Sequence, residues 1–244
     1  MRCPECARER TKVRTLRNTA RRPLVTYTLI AINLIVFLAE EGQFTLDGSG
    51  AHGTLVEEGL IYRAAIANGQ YWRLLTSGFL HESIVHVGFN MYLLYLLGLM
   101  LEPAIGSLRF GVIYFTALLC GSFGALIATP GASLGASGAV FGLMGAAVVE
   151  LRARKIGVMQ SGIGILIVLN LLLSLRPGIS IGAHIGGLIG GFLAAFAIRA
   201  ADDRTIPGLH RRVPALGLLA CVLLSVIAVA GSIAVAGSTS SGIG

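Results

Sequence analysis

Apolar runs long enough to cross a hydrocarbon layer recur along most of this chain, and the charges that separate them are unevenly placed. A bilayer core ~30 Å thick is crossed by about 20 residues of helix. Basic residues gather before the first run (Arg8, Arg10, Lys12, Arg14, Arg17, Arg21, Arg22), after the fourth (Arg152, Arg154, Lys155) and around the linker before the seventh, with Arg109 alone after the second. The other loops are acidic or nearly neutral. Every basic cluster falls on one side if the chain makes seven spans, with its N-terminus cytoplasmic and its C-terminus external. Composition agrees, since 55% apolar and 13% charged residues cannot clothe a soluble domain of 244 residues. The net charge of +7 comes from these flanking clusters, so it marks orientation and gives no reason to expect a nucleic-acid partner.

The expectation is an all-α polytopic protein of a bacterial plasma membrane, in five parts. Residues 1–22 form a basic cytoplasmic arm that touches anionic headgroups. Within it, Cys3-Pro4-Glu5-Cys6 has the spacing of half a zinc site, and the pair reads equally as free thiols because no second pair follows. Residues 23–200 hold six spans, near 24–39, 83–101, 110–128, 137–150, 162–175 and 183–198. The acid-rich loop 40–80 lies outside, and its Tyr71-Trp72 pair favours the headgroup level. A charged cytoplasmic linker, 201–213, leads to a seventh span at 214–236 and a Ser/Gly tail at 237–244.

Two polar side chains stand at matched positions in this pattern. Ser137, within Gly135-Ala136-Ser137-Gly138, precedes Arg152 by fifteen residues, and His184 precedes Arg199 by the same fifteen. Both spans run from outside to inside. At ~1.5 Å per residue each group sits roughly 22 Å above its basic anchor, about 8 Å below the outer surface of the hydrocarbon. Gly138, Gly142 and Gly145 make a small-residue stripe on the fourth span, and Gly187 and Gly191 share the face of His184 on the sixth. Such stripes let backbones approach until short side chains touch. Packing alone explains the glycines, but not a serine and an ionisable histidine at one depth, where nucleophilic catalysis needs them.

The second span adds His86 and Asn90, one helical turn apart and entering from the same side. An asparagine amide suits a developing oxyanion, beside the backbone N–H of Ser137. His81, His86 and His184 are an alternative as metal ligands, although only Glu82 joins them as a further donor at that depth.

With these residues assembled, the chain resembles a rhomboid intramembrane serine protease over about residues 24–200. The resemblance rests on Trp72-Arg73 in the first loop, then His81 with the pair His86 and Asn90. Leu101-Glu102 with Gly106-Ser107 and Phe110 follow, then Gly135-Ala136-Ser137-Gly138, and finally Ala183-His184-Ile185-Gly186-Gly187. It implies a rhomboid-like six-helix core carrying a seventh C-terminal helix, and cleavage of transmembrane protein substrates by a Ser-His dyad without cofactor. Ser137 is then nucleophile and His184 base and acid, with His86, Asn90 and the Ser137 amide as oxyanion site. Gly135 shapes the loop over the scissile carbonyl, Trp72 and Arg73 anchor the first loop in the outer leaflet, and the fifth span gates substrate entry. Many members carry a tyrosine four residues after the serine for the histidine to stack on; here Phe141 keeps the stacking face and loses the hydroxyl. The competing expectation is a catalytically silent relative that binds membrane proteins. Oligomeric state and substrate identity are not written in these residues.

Overall fold

The computed structural model describes residues 22–40, 53–129, 131–203 and 214–240. The basic arm with Cys3 and Cys6, residues 41–52 of the first loop, most of the 201–213 linker and the last four residues of the tail lie outside the described residues. Among the described residues ten α-helices follow in order: α1 (Leu24–Ala39), α2 (Thr54–Gly59), α3 (Arg63–Ala67), α4 (Arg73–Thr76), α5 (Ile84–Ile105), α6 (Ser107–Ala128), α7 (Ser137–Ala153), α8 (Ile163–Leu173), α9 (Ile181–Asp203) and α10 (Pro214–Ser240). Among the described residues the only β pairing is an isolated antiparallel bridge between Ile61 and Ser133. The fold is all-α, as composition and periodicity require. Among the described residues four helices, α5, α6, α9 and α10, are long and apolar enough to cross a membrane, and α1 and α8 are shorter apolar helices. Large apolar side chains such as Ile35, Leu38, Leu219, Val222 and Leu223 point outward, the surface of a protein solvated by lipid.

Several helix ends differ from the sequence expectation. Glu102-Pro103 does not close the second span, because α5 continues through Pro103 to Ile105. A proline forfeits one backbone bond, which is tolerable in a last turn. Gly106, at φ +92°, ends the helix and leaves a one-residue turn before α6. Glu102 is buried and accepts the N–H groups of Val25 and Thr26 at 2.9 and 2.8 Å, and the hydroxyls of Thr26 and Ser107 at 2.7 Å each. The start of α1, which has no side-chain cap of its own, is thus capped from another helix.

The described part of the first loop, residues 53–80, is a layer of short helices. Within it Arg73 is buried and donates to the Glu57 and Leu60 carbonyls at 2.7 and 2.8 Å and to the Gln70 side chain at 2.6 Å. Trp72 is exposed, its indole N–H donating to the Glu58 carbonyl at 3.2 Å. Arg63 reaches the end of α6 and donates to the Leu126 and Ile127 carbonyls at 2.6 and 2.9 Å, two of the acceptors a helix C-terminus leaves open.

At the centre, α9 packs against α6 and α7 by interleaved backbone. A Cβ at Gly187 would fall on the Gly138 carbonyl, and one at Gly191 on the Gly142 carbonyl. A second stripe, Gly182, Gly186 and Gly190, faces α6, where added methyls would meet Gly124 and Cys120. Glycine on two faces therefore seats α9 in contact with both neighbours at backbone distance.

Candidate active site

The turn before α7 decides where Ser137 stands. Gly135 has φ +123°, a backbone conformation that side chains other than glycine rarely adopt, and its N–H donates to the Ser77 carbonyl at 2.8 Å. A Cβ there would lie 2.8 Å from His86 Cε1 and Nε2 and 3.7 Å from Ser137 Oγ. Gly135 therefore makes room for the His86 ring at the edge of the serine. Buried His81 supports the same turn: its Nε2 lies 3.5 Å from the Ala136 N–H, and its ring meets His86 edge-on at 5.0 Å. The Ile61–Ser133 bridge ties this turn to the first loop.

Ser137 is the first residue of α7, and no side-chain cap covers that helix start. Its backbone N–H is one of the four that no intrahelical carbonyl can satisfy. Ser137 Oγ lies 2.7 Å from His184 Nε2. The imidazole lies flat on Phe141, one turn below Ser137 on α7, with ring centroids 4.2 Å apart and planes 15° from parallel. On its other edge His184 Nδ1 meets Ser174 Oγ at 2.5 Å. His184 stands in the first turn of α9, begun by Ser180, whose hydroxyl accepts the Ala183 N–H at 3.1 Å and meets Thr129 Oγ1 at 2.6 Å.

His86 and Asn90 line the same cavity as Ser137 and His184, a space of about 590 Å³. Asn90 does not bond to Ser137; one of its amide protons goes to the His86 carbonyl at 3.1 Å, leaving the other free. His86 Nδ1 sits 3.6 Å from the Glu82 carboxylate. The remaining wall comes from Ala132, Ser133 and Leu134 before α7 and from the end of α8 with the turn after it. Polar side chains from α5, α7, α9 and the end of α8 thus meet apolar ones such as Phe89, Leu93 and Phe141 around one cavity, the mix found in small-molecule and peptide sites generally. A larger apolar groove, about 790 Å³, lies between α1, α6 and α10 and carries no ionisable side chain.

Apart from Cys3 and Cys6, which lie outside the described residues, each site residue read from the sequence has a definite place here. Ser137, His184, Phe141, His86, Asn90 and Gly135 share one locality, Gly138 and Gly187 hold the two helices together beneath it, and Trp72 and Arg73 belong to the first-loop layer. Sequence reasoning missed Ser174. The signal was slight: Asn170 and Ser174 are spaced by one turn at the end of an otherwise apolar run.

Comparison with known proteins accords with this geometry. The sequence model of the Rhomboid domain family matches residues 68–201, more than half of the chain. The chain is 38% identical over 149 residues to "Rhomboid protease GluP" of Bacillus subtilis, covering 61% of this chain and 29% of that protein. It is 39% identical over 93 residues to "RHOMBOID-like protein 6, mitochondrial" of Arabidopsis thaliana, covering 38% of this chain and 30% of that protein. With "Rhomboid-related protein 3" of Homo sapiens it shares 32% identity over 125 residues, 50% of this chain and 30% of that one. The chain thus spans less than a third of the length of these three relatives. The fold and the family match define an integral membrane protein. This chain belongs to the rhomboid family.

Proposed function

We propose that this chain is an intramembrane serine endopeptidase that cuts peptide bonds within or beside transmembrane segments of other membrane proteins. The observation that carries the reading is the 2.7 Å approach of Ser137 Oγ to His184 Nε2 at the edge of a cavity reached from one end of the helix bundle. Ser137 Oγ attacks the scissile carbonyl carbon while its proton passes to His184 Nε2. The C–O double bond opens to an oxyanion beside the Ser137 N–H, the free Asn90 amide proton and His86. As the C–N bond breaks, His184 returns the proton to the leaving amine, giving an acyl ester on Ser137. A water then adds to the ester, again deprotonated by His184, and the second fragment leaves with Ser137 restored.

Phe141 and Gly135 support this chemistry by placing the imidazole and the His86 ring. The bilayer supplies the solvent and the substrates. The outward end of α7 is the external side in this reading, with the N-terminal arm and linker cytoplasmic and α10 a seventh span outside the dyad. The test is cleavage of a transmembrane reporter by purified protein in vesicles, with fluorophosphonate labelling in parallel. Cleavage and labelling by the unaltered chain, both lost in Ser137→Ala and cleavage lost in His184→Ala, are expected. Cleavage retained by either variant overturns the reading, and an unlabelled protein that co-purifies with membrane proteins points to a binding role instead.

A further inference from the structure

The mechanism just given needs His184 to present a bare Nε2 to the Ser137 hydroxyl, and no carboxylate bonds to its other nitrogen to enforce that tautomer. The hydrogen bonds around Ser174 supply the missing constraint. Ser174 is buried at the end of α8, and its hydroxyl lies 2.6 Å from the Asn170 carbonyl oxygen, which can only accept. The Ser174 proton is therefore committed to Asn170. Its oxygen, 2.5 Å from His184 Nδ1, is left to accept, so the imidazole proton resides on Nδ1. Nε2 then carries the lone pair that faces Ser137 Oγ at 2.7 Å. One directed chain results: Ser137 hydroxyl to His184 Nε2, His184 Nδ1–H to Ser174 Oγ, Ser174 hydroxyl to the Asn170 carbonyl.

We infer that Ser174 is a positioning residue that fixes the tautomer and ring orientation of His184, doing with a neutral hydroxyl what a carboxylate does in Ser-His-Asp enzymes. The inference rests on the hydrolytic reading of the Ser137–His184 pair. A hydroxyl suits this site: a buried carboxylate would carry a large desolvation cost, whereas the serine passes its proton to a backbone carbonyl already at hand. The hydroxyl also rides on a lightly held wall, since α8 buries only Gly164 and Asn170 of its eleven residues. Phe141 sets the plane of the ring and Ser174 sets its rotation within that plane, so the two contacts are complementary.

The experiment combines ¹⁵N NMR of histidine-labelled protein with kinetics on the transmembrane reporter. Among the five histidines, the His184 signals are assigned by their loss in His184→Ala. The unaltered protein is expected to show His184 protonated on Nδ1 and bare on Nε2. Ser174→Ala is expected to lose that preference and to lower kcat about 10- to 100-fold with KM nearly unchanged, the scale of a lost orienting partner. Ser174→Thr, which keeps the hydroxyl, is expected to restore both. An Nε2-protonated His184 in the unaltered protein overturns the inference, as does a Ser174→Ala protein with unchanged kcat. The NMR measurement on the unaltered protein needs no turnover. Should the protein neither cleave nor label, the hydrolytic reading fails on its own evidence while the tautomer still decides the role of Ser174.

Discussion

Phe141 lies flat beneath His184, ring centroids 4.2 Å apart, and both stand within reach of Ser137. The contact closes one face of the imidazole and holds its plane in line with the serine hydroxyl. Truncation to Phe141→Ala frees the ring to tilt, and a misplacement near 1 Å can cost about 100-fold in rate. We expect kcat to fall by about that factor while protein yield and KM hold. Phe141→Tyr preserves the stacking surface and is expected to cleave within about threefold of the unaltered chain, since an offset ring pair owes its energy to the faces. Steady-state cleavage of a transmembrane reporter separates the two substitutions.

Asn90 offers a second test. Its spare amide proton points at the serine cavity, while its first is bound to the His86 carbonyl. Removing one preorganised oxyanion donor costs about 10²–10³ in kcat. Asn90→Ala should show that loss with near-normal thermal stability, because the bond it breaks lies within its own helix. A change of less than threefold would assign Asn90 to packing.

Gly187 and Gly138 set the distance between α7 and α9. Gly187→Ala places a methyl on the Gly138 carbonyl and must push the helices apart. Overpacking costs about 1–3 kcal/mol, and a backbone obstacle that cannot rotate away puts this site at the upper end. The expected outcome is a lowered unfolding temperature in detergent together with lost cleavage, because Ser137 and His184 sit on the two helices being separated. Gly88→Ala, on α5 with open space around it, is the matched control and should change neither.

Glu102 lies ~24 Å along α5 from His86, well away from the serine. Its carboxylate holds two backbone N–H groups and two hydroxyls. Glu102→Ala leaves all four donors without that acceptor and should cost about 2–4 kcal/mol, given 1–3 for each neglected buried group and partial rescue by water at the helix ends. Chemical unfolding in mixed micelles measures the loss. Ser137 labelling by a fluorophosphonate at low temperature should persist, since this cap does not reach the site.

The helical layout and the serine–histidine meeting were legible because both follow from simple periodicities. Arg152 and Arg199 mark the same membrane face, so equal counts back to Ser137 and His184 give equal depth without any knowledge of the fold. The Gly187 and Gly191 stripe could be read for the same reason. Its companion, Gly182, Gly186 and Gly190, is equally regular, but its partner on α6 is known only once the helices are placed. Ser174 was invisible on different grounds. Its bond to His184 depends on where α8 ends and how it docks, and a serine at the end of an apolar run looks like any helix terminus. A basic residue beside a tryptophan reads as an interface anchor, and the three acceptors that the folded first loop offers Arg73 are known only once its short helices are placed.

The two glycine faces of α9 act as a ratchet. Carbonyls of α7 lie in the gaps opposite Gly187 and Gly191, which recur every four residues, while α6 engages the other set at the same pitch. A slide along the axis would break this seating on both neighbours, and the next glycine in register lies four residues away, about 6 Å. His184 therefore has no graded range of axial positions relative to Ser137. Any movement around this centre has to be drawn from the elements that lack such teeth, and Ser137 and His184 stay in register while they move.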